Sequence, residues 1–286
     1  MNDNHLRNVY GLKYNPFQPA LPAEAIWPLP GAELFAKRIE NMIHQGGFAL
    51  ITGEPGQGKS KTLHWLARKL AAIPDLTIGV MERPQSKTAD FYREMGELFG
   101  VALSPSNRYG GFKALRAKWQ AHCQTTLHRP VLLIDEAQEV SPQCLTELRL
   151  LQSARFDSDS LLFTILCGDE RLSDHFRIPE LLPLGSRIRT RLLLGPLEQE
   201  ALENYLDFAL IQAGNPQLMS PNLTQTLAAH AAGNLRVLNN MAAEILAAGA
   251  EKNLPGLDEA LFSELFSPQA HNKTRRNNVK KTEGGG

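Results

Sequence analysis

Residues 53–60 combine the residue types and the spacing that bind phosphate groups. They match the pattern G-x-x-x-x-G-K-[ST] between an apolar run and a helical pattern, and they are Gly53, Glu54, Pro55, Gly56, Gln57, Gly58, Lys59 and Ser60. Glycines let successive backbone N–H groups converge on phosphate oxygens, and the following helix adds the positive end of its dipole. We therefore expect these residues and Lys61 to bind ATP, with Lys59 on the β- and γ-phosphates and the Ser60 hydroxyl on Mg²⁺.

Asp135 and Glu136 directly follow a second apolar run, residues 131–134. Such a run predicts a buried strand, and ligands of open α/β sheets bind at the carboxyl ends of the strands. Asp135 is expected to hold Mg²⁺, directly or through water, and Glu136 to orient and polarise the water that attacks ATP. A strand that ends in Asp-Glu is common by itself, so the catalytic interpretation depends on the phosphate-binding segment upstream.

The composition is that of an average globular protein of 286 residues, with 43% hydrophobic and 21% charged residues. Lys+Arg and Asp+Glu both number 30, so the whole chain lacks the basic excess that announces nucleic-acid binding. The three cysteines have no metal-binding spacing and are interpreted as reduced thiols. Because we find neither a signal peptide nor an apolar run of roughly 18 residues, we expect a soluble, cytoplasmic protein.

Short apolar runs alternate with helical patterns up to residue 197, and only helical patterns follow. The predicted strands are residues 48–52, 77–81, 131–134, 161–167 and 191–194. This alternation predicts an α/β fold, a parallel sheet flanked by helices, followed by a small all-α lid domain. The predicted domains are an extended N-terminal arm (1–31) anchored by Phe17 and Trp27, an α/β P-loop ATPase domain (32–197), a helical lid domain (198–267) and a basic, disordered tail (268–286).

With these two motifs in register, the chain resembles the AAA+ superfamily of P-loop ATPases. The resemblance implies a polar residue that positions the attacking water just after the strand at 161–167. Asp169 holds that position, where the superfamily usually has Asn, Ser, Thr or Gln, and Thr164 is the other candidate unless it is a core threonine. The resemblance also implies that Arg236, in the segment Gly233-Asn234-Leu235-Arg236, contacts the nucleotide phosphates from the lid domain.

Three arginines, Arg187, Arg189 and Arg191, occupy alternate positions beside the last predicted strand. They share one face if the segment is extended. In a AAA+ ring an arginine at this place reaches the γ-phosphate of the neighbouring subunit. We favour Arg187 and then Arg191 for this role, which requires a homo-oligomer; surface arginines paired with acidic residues are the alternative interpretation.

A finer resemblance, over residues 8–266, is to the ExeA/TniB/TnsC-type group. It is carried by Gly11-Leu12 with Asn15-Pro16-Phe17, by Gly46-Gly47-Phe48 and by Asp135-Glu136-Ala137-Gln138. The group includes a regulator of DNA transposition, which oligomerises on DNA and recruits or activates a transposase. It also includes a secretion-pathway ATPase that continues into a membrane span and a peptidoglycan-binding domain.

The chain ends 20 residues after its last predicted helix without a membrane span, which favours the transposition regulator. The alternative is a secretion or envelope ATPase that acts on a protein partner. A third interpretation is a nucleotide-dependent scaffold that barely hydrolyses ATP, if Asp169 does not position the water.

Duplex DNA as a partner predicts basic residues on the surface of the ATPase domain. The densest basic stretch begins at Arg108 and includes Lys113 and Arg116, with a glycine pair and aromatic residues typical of a phosphate-tracking loop. Lys87 and Arg83 are further candidates, and a solvated helix face is the alternative interpretation. Residues 271–286, with five basic residues and one acidic residue, could contact DNA or the transposase.

Overall fold

The computed structural model describes residues 3–84, 87–103, 107–156 and 158–266. The chain divides into two compact units. One unit consists of residues 28–195, and the other joins the residues up to Trp27 with those from Pro196 onward. The predicted basic tail, residues 268–286, lies outside the described residues.

The α/β unit is built around a parallel sheet, as the sequence predicts. In the described residues its strands are β1 (Gly47–Gly53), β2 (Ile78–Met81), β3 (Val131–Ile134), β6 (Phe163–Gly168) and β7 (Ile188–Leu194), while β4 (Ser153–Ala154) and β5 (Asp159–Ser160) form a separate antiparallel pair. The strand order is β2-β3-β6-β1-β7, and every pairing in this sheet is parallel. The three inner strands are buried along almost their whole length, because helices cover both faces.

Twelve α-helices surround or follow these strands in the part of the chain that the structure describes. They are α1 (Asp3–Tyr10), α2 (Ala32–Met42), α3 (Lys59–Ala71), α4 (Thr88–Leu98), α5 (Arg108–Thr126), α6 (Pro142–Gln152), α7 (Glu170–His175), α8 (Leu182–Gly185), α9 (Gln199–Ala213), α10 (Pro221–Ala231), α11 (Leu235–Glu251) and α12 (Glu259–Phe266). None of the helices described is both long and apolar enough to cross a bilayer.

Strand β7 begins three residues earlier than the predicted strand 191–194. It lies at the edge of the sheet, where exposed Arg189, Arg191 and Leu193 alternate with buried Thr190, Leu192 and Leu194. A half-exposed strand has alternating polarity and not a continuous apolar run. The apolar run therefore revealed only the second half of this strand.

The basic segment that begins at Arg108 is helical, as the alternative interpretation of a helix face expects, and the loop interpretation is wrong. Helix α5 begins at Arg108, because the Asn107 side chain caps it by accepting a hydrogen bond from the Gly110 N–H (2.8 Å). The glycine pair lies in the first turn, where Gly111 is buried and a side chain in its place would press on Tyr92. Small residues here serve helix packing.

Arg116 of α5 fastens the end of α6. Its guanidinium donates to the carbonyl oxygens of Leu150 (3.1 Å) and Leu151 (2.9 Å) in the last turn of α6, and to that of Ser153 just after the helix. Carbonyl groups in the last turn of a helix have no intrahelical donor. Burial lowers the pKa of Arg116. A cation at a helix C-terminus also complements the helix dipole, so Arg116 has a structural role.

The helical unit contains the first residues of the chain. Residues 3–10 form helix α1, so the prediction of an extended arm is wrong for this segment. Tyr10 packs against Gly249 of α11 and its carbonyl accepts from Asn215 (2.9 Å). Phe17 is buried, and the ring of Trp27 packs on Tyr205 of α9 with the ring centroids 5.7 Å apart. These contacts attach residues 3–27 to helices α9 and α11.

Replacing Arg116 by alanine should lower the free energy of unfolding by about 2 kcal/mol, because several carbonyl oxygens at the end of α6 lose a charged donor. The matched control is Lys113→Ala, which removes an exposed cation from the same helix and should change stability by less than about 0.5 kcal/mol. Urea denaturation followed by circular dichroism measures both. Equal stability of the two variants would contradict the capping role.

Candidate nucleotide-binding site

The register of the sheet brings three candidate segments to one edge. In the β1–β6 pair Thr52 lies beside Gly168, and in the β3–β6 pair Ile134 lies beside Leu166. Residues that follow β1, β3 and β6 therefore leave the sheet side by side. At this carboxyl edge the phosphate-binding segment meets Asp135, Glu136 and Asp169, as expected for an open α/β sheet.

The phosphate-binding segment turns from β1 into α3 through two left-handed glycines. Gly56 has φ 90° and Gly58 has φ 88°, values that disfavour residues with a Cβ. Helix α3 then begins at Lys59. Exposed Glu54, Pro55 and Ser60 border this turn, whereas Gln57 is buried at 5% exposure. The N-terminus of a long helix thus lies next to an open glycine turn, the arrangement that binds anions.

The Lys59 side chain lies across its own loop. Its ammonium donates to the carbonyl oxygens of Gly53 (2.9 Å) and Glu54 (3.1 Å), and the residue is only 8% exposed. These bonds satisfy a buried charge that would otherwise be costly. A phosphate group that enters the loop can replace carbonyl oxygens as the partner of this ammonium. Burial lowers the pKa of neighbouring Lys61.

Asp135 and Glu136 are held at the carboxyl end of β3. The Asp135 N–H donates to the Met81 carbonyl (3.0 Å) and so continues the β2–β3 ladder by one residue. The Asp135 carboxylate accepts from the Glu136 N–H (3.0 Å), and Glu136 has a left-handed backbone with φ 46°. This conformation is unfavourable for a glutamate. It turns the chain sharply and leaves Glu136 exposed at the edge.

The Ser60 hydroxyl and the Asp135 carboxylate are a donor set that suits Mg²⁺. Among the described residues no group of three or more His, Cys, Asp or Glu side chains could hold a metal by itself. Mg²⁺ typically takes one or two protein oxygens and completes its shell with phosphate and water. When bound, Mg²⁺ supplies charge neutralisation of the phosphate groups.

Cys167 is a component of the site that the sequence analysis does not identify. It is fully buried in β6, next to Asp135. Burial raises the pKa of its thiol well above the usual value, and the nearby Asp135 carboxylate raises it further. A protonated thiol can donate a hydrogen bond to that carboxylate. A cysteine inside an apolar run gives no signal for this position.

Asp169, the expected water-positioning residue, makes other contacts. Its carboxylate accepts from the Arg171 N–H (3.0 Å) as the cap of α7, and it forms an ion pair with the Arg171 guanidinium (2.8 Å). The hydrogen bond from Arg171 holds the pKa of Asp169 below its usual range. Thr164, the other candidate, is fully buried and bonds to Gln152 (3.3 Å), as a core threonine does.

Gln138 is a second residue that the sequence analysis does not identify as part of the site. It lies two residues after Glu136 and is 6% exposed. Its amide Nε2 donates to Glu136 Oε2 (2.5 Å), and its Oε1 accepts from the Asp169 N–H (3.2 Å). The glutamine therefore joins the segment after β3 to the segment after β6.

Arg187, the favoured trans-acting arginine, lies far from the phosphate-binding segment of its own subunit. Gly53 pairs with Leu194 at the carboxyl end of β7, whereas Arg187 precedes β7. Seven residues of extended chain span about 20 Å, which exceeds the reach of an arginine side chain. Arg187 donates to the Pro183 carbonyl, and Arg191 is exposed partway along the edge strand.

Arg236 belongs to the helical unit. It is exposed in the first turn of α11, where the Asn234 side chain accepts from the Arg236 N–H (3.0 Å) and from the Val237 N–H (3.2 Å). Gly233 has φ 81° and lies against Pro196. A role of Arg236 at the nucleotide remains an expectation from the resemblance.

Of the five candidate DNA-binding residues, Arg108 and Arg116 bind acidic or carbonyl oxygens within the chain. Arg108 forms an ion pair with buried Glu147, and Arg116 caps α6. Lys113 is exposed, with its ammonium 4.4 Å from the centre of the exposed Tyr109 ring. Lys87 is exposed just before α4. Lys113 and Lys87 are therefore better candidates for phosphate contact than the two arginines.

Comparison with known proteins places this site in a known fold. The sequence model of the AAA domain family matches residues 41–176. General secretion pathway protein A of Aeromonas hydrophila is 32% identical over 198 residues, which are 68% of this chain and 35% of that protein. The chain thus matches about a third of the length of this curated relative.

Solved structures share the fold at low sequence identity. The Aeropyrum pernix ORC2 protein has a TM-score of 0.66 at 17% identity, over 86% of this chain and 69% of that one. Drosophila ORC bound to DNA has a TM-score of 0.66 at 15% identity, over 94% of this chain and 67% of that one. Domain III of the Thermotoga maritima replication initiation protein DnaA has a TM-score of 0.59 at 16% identity, over 87% of this chain and 98% of that one.

The family match covers both acidic residues after β3 and the whole phosphate-binding segment. The arrangement of the parallel sheet and its flanking helices is shared with the solved structures at the level of the fold. Residues 41–176 thus match the AAA domain family, and the chain has the fold of a P-loop AAA+ ATPase.

Proposed function

We propose that this chain is a AAA+ ATPase that assembles with copies of itself on duplex DNA and recruits or activates a transposase. Lys59, Ser60 and Asp135 bind Mg-ATP, Glu136 activates the attacking water, and Arg187 of an adjacent copy completes the site. ATP hydrolysis limits the lifetime of the assembly. Sequence-independent phosphate contacts hold the assembly on DNA.

The position of Arg187 carries the self-assembly part of the proposal. The arginine lies at the amino end of β7, and the phosphate-binding segment lies at the carboxyl edge of the same sheet. An arginine separated from its own site by the length of a strand can stabilise transferring phosphate only in another copy. Arg191 lies on the exposed side of the same strand and is the second candidate.

In the proposed reaction each side chain has a separate task. The Lys59 ammonium moves from the carbonyl oxygens of its loop to the β- and γ-phosphates, and the α3 N-terminus adds backbone N–H groups. The Glu136 carboxylate accepts a proton from water as the water oxygen attacks the γ-phosphorus and ADP leaves. Arg187 offsets the charge that develops on the transferring phosphoryl group.

DNA as the partner is supported by the exposed cations of the α/β unit and by the finer sequence resemblance. Lys113 lies beside an exposed aromatic ring, a combination that suits a nucleic-acid backbone and its bases. Drosophila ORC, which shares the fold, was solved bound to DNA. The transposase part of the proposal depends on the resemblance of residues 11–17 and 135–138 to the group that includes both the transposition regulators and the secretion-pathway ATPases.

A second candidate function is a secretion-pathway ATPase module that acts on a protein partner. The 32% identity to General secretion pathway protein A favours it. The intramolecular partners of Arg108 and Arg116 also reduce the cationic surface that DNA could contact. This candidate predicts hydrolysis that duplex DNA does not stimulate.

Replacing Glu136 by glutamine should reduce kcat for ATP hydrolysis at least 10²-fold, because the general base is lost, while a fluorescent ATP analogue still binds within about threefold of wild type. Glu139→Gln is the matched control, since Glu139 is an exposed carboxylate in the same segment that pairs with Arg171. Phosphate release and fluorescence anisotropy measure the two effects. A wild-type protein that binds ATP without turnover would identify a scaffold.

Arg187→Ala alone should lower kcat about 10³-fold, as the loss of a trans-acting arginine does in other P-loop enzymes. Mixing Arg187→Ala with Glu136→Gln should then restore part of the activity. The first variant supplies an intact Glu136 and the second an intact Arg187 at the same interface. Arg177→Ala, which breaks an exposed pair with Asp174, is the control. Mixtures no more active than their components would argue against a role in trans.

Duplex DNA should stimulate ATP hydrolysis, and the stimulation should fade as salt rises from 50 to 200 mM, because phosphate contacts release counterions (about one unit of slope per contact). Lys113→Glu should weaken DNA binding and reduce its dependence on salt concentration. Lys37→Glu, at an exposed position of α2, should change neither. Hydrolysis is measured with and without a duplex of about 50 base pairs, roughly five helical turns. Robust turnover indifferent to DNA would favour the secretion-type function.

A further inference from the structure

The carboxylate of Asp169, the residue expected to position the attacking water, is bonded to Arg171. Both Asp169 oxygens contact the Arg171 guanidinium (3.2 and 2.9 Å), and one of them also caps α7. Arg171 in turn donates to Glu139 (2.9 Å). A carboxylate held in a helix cap and an ion pair has little freedom to accept from a water molecule beside ATP. Asp169 contributes its backbone N–H to the site instead.

The backbone N–H of Asp169 anchors the side chain of Gln138. One end of the Gln138 amide accepts from that N–H, and the other end donates to the Glu136 carboxylate. Both ends are thus paired in a residue that is 6% exposed. A buried amide with both ends bonded has a single orientation, and it fixes the group to which it donates.

Gly168, at the end of β6, leaves space for the side-chain amide of Gln138. A Cβ atom on Gly168 would lie 2.3 Å from Gln138 Oε1 and 3.0 Å from the side chain of Leu172. Atoms without a bond between them do not approach that closely, so any larger residue at 168 would displace the amide. Gly168 and Gln138 are therefore matched.

We infer that Gln138 positions the Glu136 carboxylate for catalysis. It supplies an amide from the segment after β3, whereas residue 169, where the AAA+ superfamily usually has Asn, Ser, Thr or Gln, is an aspartate. This inference rests on the proposed ATPase function. The bond from Nε2 occupies Oε2 of Glu136 and leaves Oε1 to accept the proton of the attacking water. The same bond opposes rotation of a side chain whose backbone is left-handed and whose surroundings are open to solvent.

The first test measures kcat and the KM for ATP in three variants. Gln138→Ala should lower kcat about 10²-fold and change KM by less than about threefold, because a misplaced catalytic group costs rate and not substrate affinity. Asp169→Asn keeps the backbone N–H and a helix-capping side chain, so its kcat should fall far less. Gln143→Ala removes an exposed glutamine of α6 and controls for the loss of a surface amide.

The second test uses the pH dependence of kcat. Gln138→Glu preserves the size of the side chain but places a carboxylate against Glu136, and two adjoining carboxylates resist simultaneous ionisation. The acidic limb of the pH profile should move to higher pH by at least about one unit, with activity partly regained at alkaline pH. An unmoved profile would show that the side chain at position 138 does not contact the catalytic carboxylate. Gly168→Ala should reproduce the low kcat of Gln138→Ala, with thermal melting used to check the fold.

Several outcomes would overturn the inference. They are an unchanged kcat for Gln138→Ala, a larger loss for Asp169→Asn than for Gln138→Ala, and a Gln138→Glu profile with an unmoved acidic limb. Failure of the proposed function has a different pattern, since the wild-type protein then binds the fluorescent ATP analogue without releasing phosphate, and the inference fails with it. A wild-type enzyme that turns over beside an equally active Gln138→Ala contradicts the inference alone.

Discussion

The parallel register of β3, β6 and β1 is the constraint on which the candidate site depends. Because the three strands end at one edge, the glycine turn, the two acidic residues and the Gly168-Asp169 step meet without long loops. Short connections cost less conformational entropy than long ones, and they leave the functional side chains on rigid elements. A shift of one strand by one residue would turn its side chains to the other face and dismantle the site.

The same sheet separates the candidate nucleotide-binding site from Arg187, which lies at the other end of the strands. Its carboxyl edge holds the residues expected to bind ATP, and Arg187 lies beyond the opposite edge of β1 and β7. In the proposed function this distance makes hydrolysis depend on assembly, because Arg187 would act only at the site of a neighbouring copy. Rigid strands suit this arrangement, since they hold the arginine at a fixed distance from the site.

The sequence predicts the fold and the two central motifs because each depends on local pattern. Continuous apolar runs identify buried strands, and the glycine spacing before Lys59 identifies the phosphate-binding turn. The roles of Arg116 and Gln138 depend on tertiary contacts with residues 31 or more positions away, which no local pattern encodes. The glycine pair at residues 110–111 is a similar case, since such a pair favours a loop interpretation, whereas Gly111 here allows close helix packing against Tyr92.

The charge distribution links DNA binding to assembly in the proposed function. The chain has no net charge, and its Arg108 and Arg116 serve internal contacts, so each subunit has less cationic surface for DNA than its sequence indicates. Each phosphate contact contributes modestly, but contacts multiply when copies line one duplex, and the later contacts form at high effective concentration. A single subunit should therefore bind DNA weakly and an ATP-bound assembly strongly. Hydrolysis, by loosening the contacts between copies, would then release the DNA without any change in the DNA-binding residues themselves.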